Sequence, residues 1–425
     1  MKSMVLAGTV TRDRFWVGSV LLLLVVCTIG AYQIWDKTMR RISCIVLSAI
    51  LFGLVACNGD SVISGNAVVI PIDYDNYEKV SMDKVFSRIE VVSLEGNEDS
   101  YLMGYDKIVM KDGRYYIKDQ NCVFVFDSLG NYKYNTKSRQ GRGHNEYLSV
   151  NDFYVSDDSI VYIMDYDGRV RGLDPKLKMV KTFKVKLKKV YYYEEIQMIS
   201  DDLLLLSTDN SRSDTIIWNY YSISKNDIVG TSRVTKMRKD GIVYEMSSYY
   251  RNDSQLLYRP RDDGYRILGL DSETQEVYEA YIFDVGKDCF DPSELDEDEV
   301  IARYLKNNPD KYVYLMFMSF NNNYLISTLG HLPVHGFLGT DMRLSFYSLK
   351  DGHQRLFDYF FEGNKYIRTM DIVDDRCIQT FVNDYDDLNN LYDEKLLDEK
   401  SKQVLKGVND ETNALIIKYY FRTDI

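Results

Sequence analysis

The sequence predicts an all-β chain folded as a six-bladed β-propeller, closed by its N- and C-terminal strands and carrying one helical surface insertion. Three observations support this: alternating aromatic and β-branched runs, a hairpin turn that recurs at a near-constant interval, and a strand at each end of the body. The chain holds 36 Tyr and only 6 Pro. That is the usage of pleated surfaces, where branched and aromatic side chains pack well and Pro removes a ladder donor.

The chain begins with an address. Phe15 to Trp35 is a run of 21 residues without a charge, preceded by Arg12 and Arg14, and it is long enough to span a bilayer. Met39-Arg40-Arg41 then opens a second stretch, apolar from Ile42 to Ala56. A positive start, a short apolar core and small residues before a cut site make a secretory signal. Residues 1–56 are therefore expected to be a signal region with its true start at Met39. The ending Leu54-Val55-Ala56-Cys57 resembles a bacterial lipobox, and by that resemblance Cys57 carries a lipid and opens the mature chain. The alternative is an N-terminal transmembrane hairpin with Cys57 as an ordinary thiol. Asn58 stands where an inner-membrane retention signal places Asp, so the resemblance implies the outer membrane, with the periplasmic face and the cell surface both open.

Residues 57–79 read as a lipidated tether, with Ser61 to Asn66 as its polar part. From Val80 to residue 425 strand signals dominate. Arg114 to Asp119 and Val123 to Phe126 lead into the turn Asp127-Ser128-Leu129-Gly130-Asn131, a hairpin unit by its alternation and its turn residues. Equivalent turns start at Asp174, Ser224, Asp271 and Lys350, giving intervals of 47, 50, 47 and 79 residues. A period of about 40–50 residues built from strands alone marks propeller blades. The long interval holds Asp291 to Lys306, with Pro and acids first and Lys last, which predicts a helical insertion over about 291–312. Phe86 to Leu94 and Ala414 to Phe421 are strands that can complete one blade from both chain ends and so protect the open edges. Five internal units and one shared unit make six blades; a pair of β-sandwiches is the alternative.

The run Arg139-Gln140-Gly141-Arg142-Gly143-His144-Asn145-Glu146-Tyr147, followed by Asn151-Asp152-Phe153, resembles the six-bladed propeller lipoproteins of anaerobic Gram-negative bacteria. In that family a Gly-x-Gly-Pro-Gly-Glu-Tyr segment joins an early blade to the next and Asp-Phe soon follows. His144-Asn145 replaces the usual Pro-Gly. Tyr116–Asp119 and Phe126–Gly130 also match. The resemblance implies the wider TolB-like and NHL-like propeller group. It also singles out Arg142, Glu146, Tyr147 and Asp152 as ligand-binding candidates at a blade junction.

Net charge is −12, and residues 57–425 carry 46 Lys+Arg against 62 Asp+Glu, or −16. Such a chain repels phosphate backbones, so nucleic acid is not an expected partner. Gly141-Arg142-Gly143 offers backbone amides beside an Arg, suited either to a blade-connecting turn or to an anion contact. Asp165-Tyr166-Asp167-Gly168 lacks the further acids of a calcium loop and reads as a β-turn. His331 and His335 flank Pro333, which spoils a helical metal spacing, and no metal site is expected. No Gly-x-Ser-x-Gly elbow occurs. Acidic pairs at Asp201-Asp202, Asp262-Asp263 and Asp386-Asp387 and aromatics at Tyr191-Tyr192-Tyr193 read as turn and sheet residues, with sugar chemistry or stacking as the alternative. Cys122, Cys289 and Cys377 are too dispersed for a disulfide framework. Asp60-Ser61-Val62 resembles a bacterial O-glycosylation acceptor. The expected function is a lipid-anchored envelope module that binds a protein, peptide or glycan and needs no cofactor. The alternatives are a hydrolase or lactonase with a divalent ion in its channel and a structural subunit of an outer-membrane complex.

Overall fold

The computed structural model describes residues 62–63, 67–143, 145–185, 192–208, 215–235, 248–251, 255–260, 265–271, 273–288, 313–331 and 341–423. The chain divides at Gly59, and every described residue belongs to the unit Asp60–Ile425. The expected signal region, Cys57, Cys289, His335 and the helical insertion over 291–312 lie outside the described residues.

Two short strands come first, β1 (Val62–Ile63) and β2 (Val68–Pro71), then the nine-residue β3 (Phe86–Leu94). Five antiparallel meanders follow. The first blade is β4 (Lys107–Lys111), β5 (Arg114–Asp119), β6 (Cys122–Asp127) and β7 (Tyr132–Asn135). The second is β8 (Asp152–Val155), β9 (Val161–Met164), β10 (Arg169–Leu173) and β11 (Met179–Lys184). The third is β12 (Glu195–Ser200), β13 (Leu203–Thr208), β14 (Thr215–Ser222) and β15 (Asp227–Thr235). The fourth is β16 (Ser248–Arg251), β17 (Leu256–Arg259), β18 (Arg266–Leu270) and β19 (Val277–Asp284). The fifth is β20 (Tyr314–Phe320), β21 (Tyr324–Gly330), β22 (Met342–Ser348) and β23 (Gln354–Asp358).

The sixth blade closes the ring. β24 (Ile372–Val373), β25 (Cys377–Val382) and β26 (Ala414–Phe421) come from the C-terminal end, and β3 supplies the fourth strand, paired from Leu94 opposite Ala414 to Phe86 opposite Phe421. Six apolar clusters lie between the blades, each drawing on two successive sheets. One of them joins Val92 and Leu94 of β3 to Tyr115, Ile117 and Phe124 of the first blade. Because each sheet packs on both faces, strands such as β25 are buried at every position. Alternation in the sequence accordingly gives way to continuous apolar runs.

The recurrent turns found in the sequence are the links from third to fourth strand. An Asp opens four of the five with its carboxylate accepting from backbone amides: Leu129 and Asn131 on Asp127, Lys176 and Lys178 on Asp174, Glu273 and Thr274 on Asp271, and His353 on Asp351. These bonds favour the ionised form. The N–H groups of Thr274 and Glu273 hold Asp271 below the usual carboxylate range. At Gly130 (φ +89°) a Cβ would stand 2.1 Å from the Ser93 carbonyl oxygen, so this turn can press on β3 only with Gly.

The first blade does not begin the sheet structure. Residues 67–72, read as part of the tether, are apolar (Ala67-Val68-Val69-Ile70-Pro71-Ile72), and β2 pairs parallel to β19, as does β1. Glu78 then bridges to Phe357 of β23 before β3 joins the sixth blade. This strap covers the outer edges of the fourth and fifth blades, which would otherwise expose unpaired ladder groups. The edge of β3 is covered in turn by Leu397, bridged to Ile89, and by the one helix among the described residues, α1 (Glu399–Lys406). Asp398 caps α1 by accepting from the Ser401 N–H at 2.7 Å, and the Ser401 hydroxyl accepts from the Val91 N–H at 2.9 Å.

Phe86 is fully buried at the closure, with its ring near those of Tyr419, Phe361 and Phe421. Phe86→Ala is expected to lower unfolding free energy by about 3–5 kcal/mol in urea denaturation. The exposed Val180→Ala should stay within about 0.5 kcal/mol of the parent.

Candidate functional site

In each meander, the chain enters the first strand and turns from second to third strand on one face, here the upper face. The first-to-second and third-to-fourth turns lie on the lower face. The upper face carries all four residues singled out from the sequence.

The segment between β7 and β8 folds back on itself. The Tyr147 N–H donates to the Arg139 carbonyl and the Gly141 N–H to the Tyr147 carbonyl, both at 2.9 Å. The Glu146 carboxylate accepts from the Gly143 N–H at 2.7 Å, and a Cβ on Gly141 would meet its Oε2 at 2.1 Å. The two glycines thus make room for an anion that belongs to the chain. Arg142 beside them is exposed. Tyr147 points inward: it is buried between the first two blades, its hydroxyl 2.6 Å from the Thr136 hydroxyl and donating to the Thr136 carbonyl at 3.0 Å. Burial raises its phenol above the ordinary value.

Asp152, at the start of β8, joins three blades. One carboxylate oxygen accepts from Lys107 Nζ of β4 and the other from the Ile196 N–H of β12, each at 2.8 Å. Every other junction has a comparable polar link. Arg251 donates to the Met198 carbonyl between blades three and four, and Tyr265 to the Val313 carbonyl between four and five. Asn321 donates to the Asp374 carbonyl between five and six. Tyr105 donates to Asp371 at 2.8 Å across the closure between six and one. Asp371 also accepts from the Thr369 hydroxyl at 2.7 Å and the Phe381 N–H at 2.6 Å, yet burial outweighs these bonds and pushes its carboxyl up. Asp165 pairs with the buried Arg171 and accepts from the Ser149 N–H at 3.1 Å. Asp152, Asp371 and Asp165 are therefore occupied in holding blades and turns together.

Among the charged residues that the upper face exposes stand four large apolar ones. Met103 (76% exposed), Leu148 (59%), Tyr166 (56%) and Tyr101 (49%) stand on its connections around the first two blades. Sequence reasoning missed them, because a lone exposed apolar residue in a loop has no periodicity. Tyr166 meets Tyr192 edge-on with ring centres 6.1 Å apart, while Tyr193 is buried and Tyr191 lies outside the described residues. His331 sits 3.3 Å from Asp341 and edge-on to Tyr74. Among the described residues no cluster of three or more His, Cys, Asp or Glu has metal-holding geometry. Cys122 and Cys377 are buried and unpaired with each other, and burial pushes the Cys377 thiol up to about 12.

Over residues 67–420 the sequence matches the family described as a domain of unknown function, DUF4934. No curated protein matches it. Among solved structures it is similar to a Bacteroides fragilis protein described as exported, at 14% identity and a TM-score of 0.62, across 84% of this chain and all of that one. It also matches a member of the DUF4221 family from Bacteroides vulgatus, at 13% identity and a TM-score of 0.43, over 79% of this chain and 98% of that one. BamB from Moraxella catarrhalis matches at 9% identity and a TM-score of 0.35, over 83% and 96%. The first of these likenesses supports the fold and nothing finer.

Asp152→Ala leaves the Ile196 amide without its acceptor and Lys107 with the Phe153 carbonyl alone, and is expected to cost about 2–3 kcal/mol in chemical denaturation. Asp371 titrates in the opposite sense to a stabilising ion pair. With its folded value above the unfolded one, its favourable contribution is present below pH about 4 and lost as pH rises through the folded value. The stability deficit of Asp371→Asn relative to the parent should therefore shrink between acid and neutral pH. A deficit that grows with pH would contradict the assignment.

Proposed function

The chain belongs to the DUF4934 family, and on that footing we propose that it is a lipid-anchored propeller of the cell envelope that binds a protein, peptide or glycan through its upper face. The observation that carries this reading is the group of exposed apolar side chains, Tyr101, Met103, Leu148 and Tyr166, around the mouth of a rigid ring. Solvated loops gain nothing from such residues, whereas recognition surfaces do. The neighbouring acids accept hydrogen bonds from the protein itself, which supports binding over hydrolysis. Arg142, exposed between the two glycines, adds a cation at the edge of this patch.

The signal-like stretch from Met39 and the Leu54-Val55-Ala56-Cys57 ending support export, cleavage and acylation at Cys57. The description of the Bacteroides fragilis neighbour as exported agrees with that. Outer-membrane sorting follows from Asn58 after the acylated residue. Kinship with the TolB-like and NHL-like propellers belongs to the same proposal and rests on the Gly141–Tyr147 segment with Asp152-Phe153.

Metabolic labelling with an alkyne fatty acid should mark the parent protein, and Cys57→Ser should abolish the label and leave an uncleaved precursor. An unlabelled parent would contradict the anchor. In a crosslinking pull-down from native membranes, Tyr166→Ala combined with Leu148→Ser should lose the captured partner while leaving the unfolding midpoint unchanged. Retention of the same partner would move the binding surface elsewhere.

A further inference from the structure

A groove of about 630 Å³ opens on the lower face between the fifth and sixth blades. It lies where the sixth blade has no hairpin: β26 ends at Phe421 and β3 starts at Phe86, so two chain ends stand where the other blades carry a turn. The lining gathers five cationic side chains, Arg88, Lys350, Arg355, Arg376 and Arg422, against two carboxylates, Asp351 and Asp375. With Glu78 on Arg355 and Asp374 beside Arg376 also counted, five cations stand against four carboxylates, a balance of +1 in a chain that carries −16 from Cys57 onward.

The cations are held over an aromatic base. The rings of Tyr324, Phe346 and Phe421 lie 6.1 Å from one another. The Arg88 guanidinium sits 3.8 Å above the Tyr420 ring. Glu78 fixes Arg355 through two hydrogen bonds of 2.9 and 3.0 Å, and Arg422 donates to the Asp83 carbonyl at 3.2 Å. Arg376 projects outward with 74% of its side chain exposed, its guanidinium 3.8 Å from Asp374. Fixed guanidiniums over an aromatic floor suit a phosphate carried on an apolar stem, since Arg recognises phosphate in fork geometry and aromatic rings favour the membrane interface.

The strap supplies a second, independent indication. Val62 pairs with Val277, the residue that opens β19 beside a lower-face turn. Only four residues separate it from Cys57, and five links give a contour of at most about 18 Å. That contour bounds how far the lower end of β19 can stand from a lipid carried by Cys57.

We propose that this groove takes the phosphate headgroup of an anionic phospholipid, docking the lower face on the membrane and leaving the upper face free for its partner. The inference rests on the lipid anchor of the proposed function, and a chain without that anchor separates the two.

The test uses the unit from Asp60, which contains all six blades and closes its own ring, in flotation with two kinds of vesicle. One is phosphatidylcholine alone, and the other has one part phosphatidylglycerol to two parts phosphatidylcholine. Binding is expected only to the second, and Lys350→Glu and Arg376→Glu should each weaken it about fivefold or more, a juxtamembrane cation being worth about 1 kcal/mol. Lys176→Glu, an exposed lower-face control on the second blade, should leave binding within twofold. Equal binding to both vesicles, or equal loss in the control, would overturn the groove as the site. Arg376-dependent binding of glycerol 3-phosphate without vesicle binding would overturn the membrane as the source. Failure of flotation alongside acylation of Cys57 in cells would sink this inference alone.

Discussion

Everything in this protein depends on the pairing of β3 with β26. A propeller blade is apolar on both faces and can bury neither alone, so each sheet needs a neighbour on either side. In a row, the first and last sheets would each leave one face in water. Joining the N-terminal strand to three C-terminal strands removes both ends at once, and the cluster containing Val92, Tyr115 and Ile416 is the contact that results. Around the ring the polar links repeat the same logic at smaller scale. Asp152, Tyr105, Tyr265, Asn321 and Arg251 each tie one blade to the next, satisfying buried donors and acceptors where apolar packing alone would let adjacent sheets slide. Closure also leaves a mark, because the blade built from two chain ends lacks a hairpin and a groove stands in its place.

Most of this architecture was legible because propellers punctuate their sequence. The turns at Asp127, Asp174, Ser224, Asp271 and near Asp351 all join third to fourth strands, and in four of them an Asp carboxylate makes the turn recognisable: it satisfies backbone amides that the tight turn leaves without partners. The terminal strands were legible from the need for closure. The strap was not. Parallel strands such as β1 and β2 pair with partners some two hundred residues away, and their short apolar runs look like any tether with a few aliphatic residues. Helix α1 was missed as well, although Asp398 and Ser401 carry its capping signal; eight residues without a wide apolar stripe give little periodicity to detect.

The candidate site was legible in position more than in role. Gly141-Arg142-Gly143 reads in the sequence as a blade-connecting turn or an anion contact, and in the structure it is a turn between β7 and β8 whose anion is Glu146 from the same loop. Tyr147 and Asp152 stand at the blade junction, as the family resemblance implied, and their polar atoms face into the protein. Sequence cannot distinguish a conserved-looking polar residue that meets a ligand from one that meets a backbone amide forty residues away, because both roles demand the same chemistry. The exposed Met103, Leu148 and Tyr166 escaped notice for the converse reason. They stand on three separate connections, and the face those connections share exists only once the ring is closed. The exposed apolar residues stand on the upper face and the cationic groove on the lower one.

The most direct test of closure is a disulfide across the seam. Glu90 and Lys418 face each other in the β3–β26 register. A chain carrying Glu90→Cys and Lys418→Cys should form an intramolecular crosslink on oxidation and unfold at higher urea concentration, because a bond that ties the two ends restricts the unfolded chain. Failure to crosslink, or crosslinking only between molecules, would contradict a ring closed by its own ends.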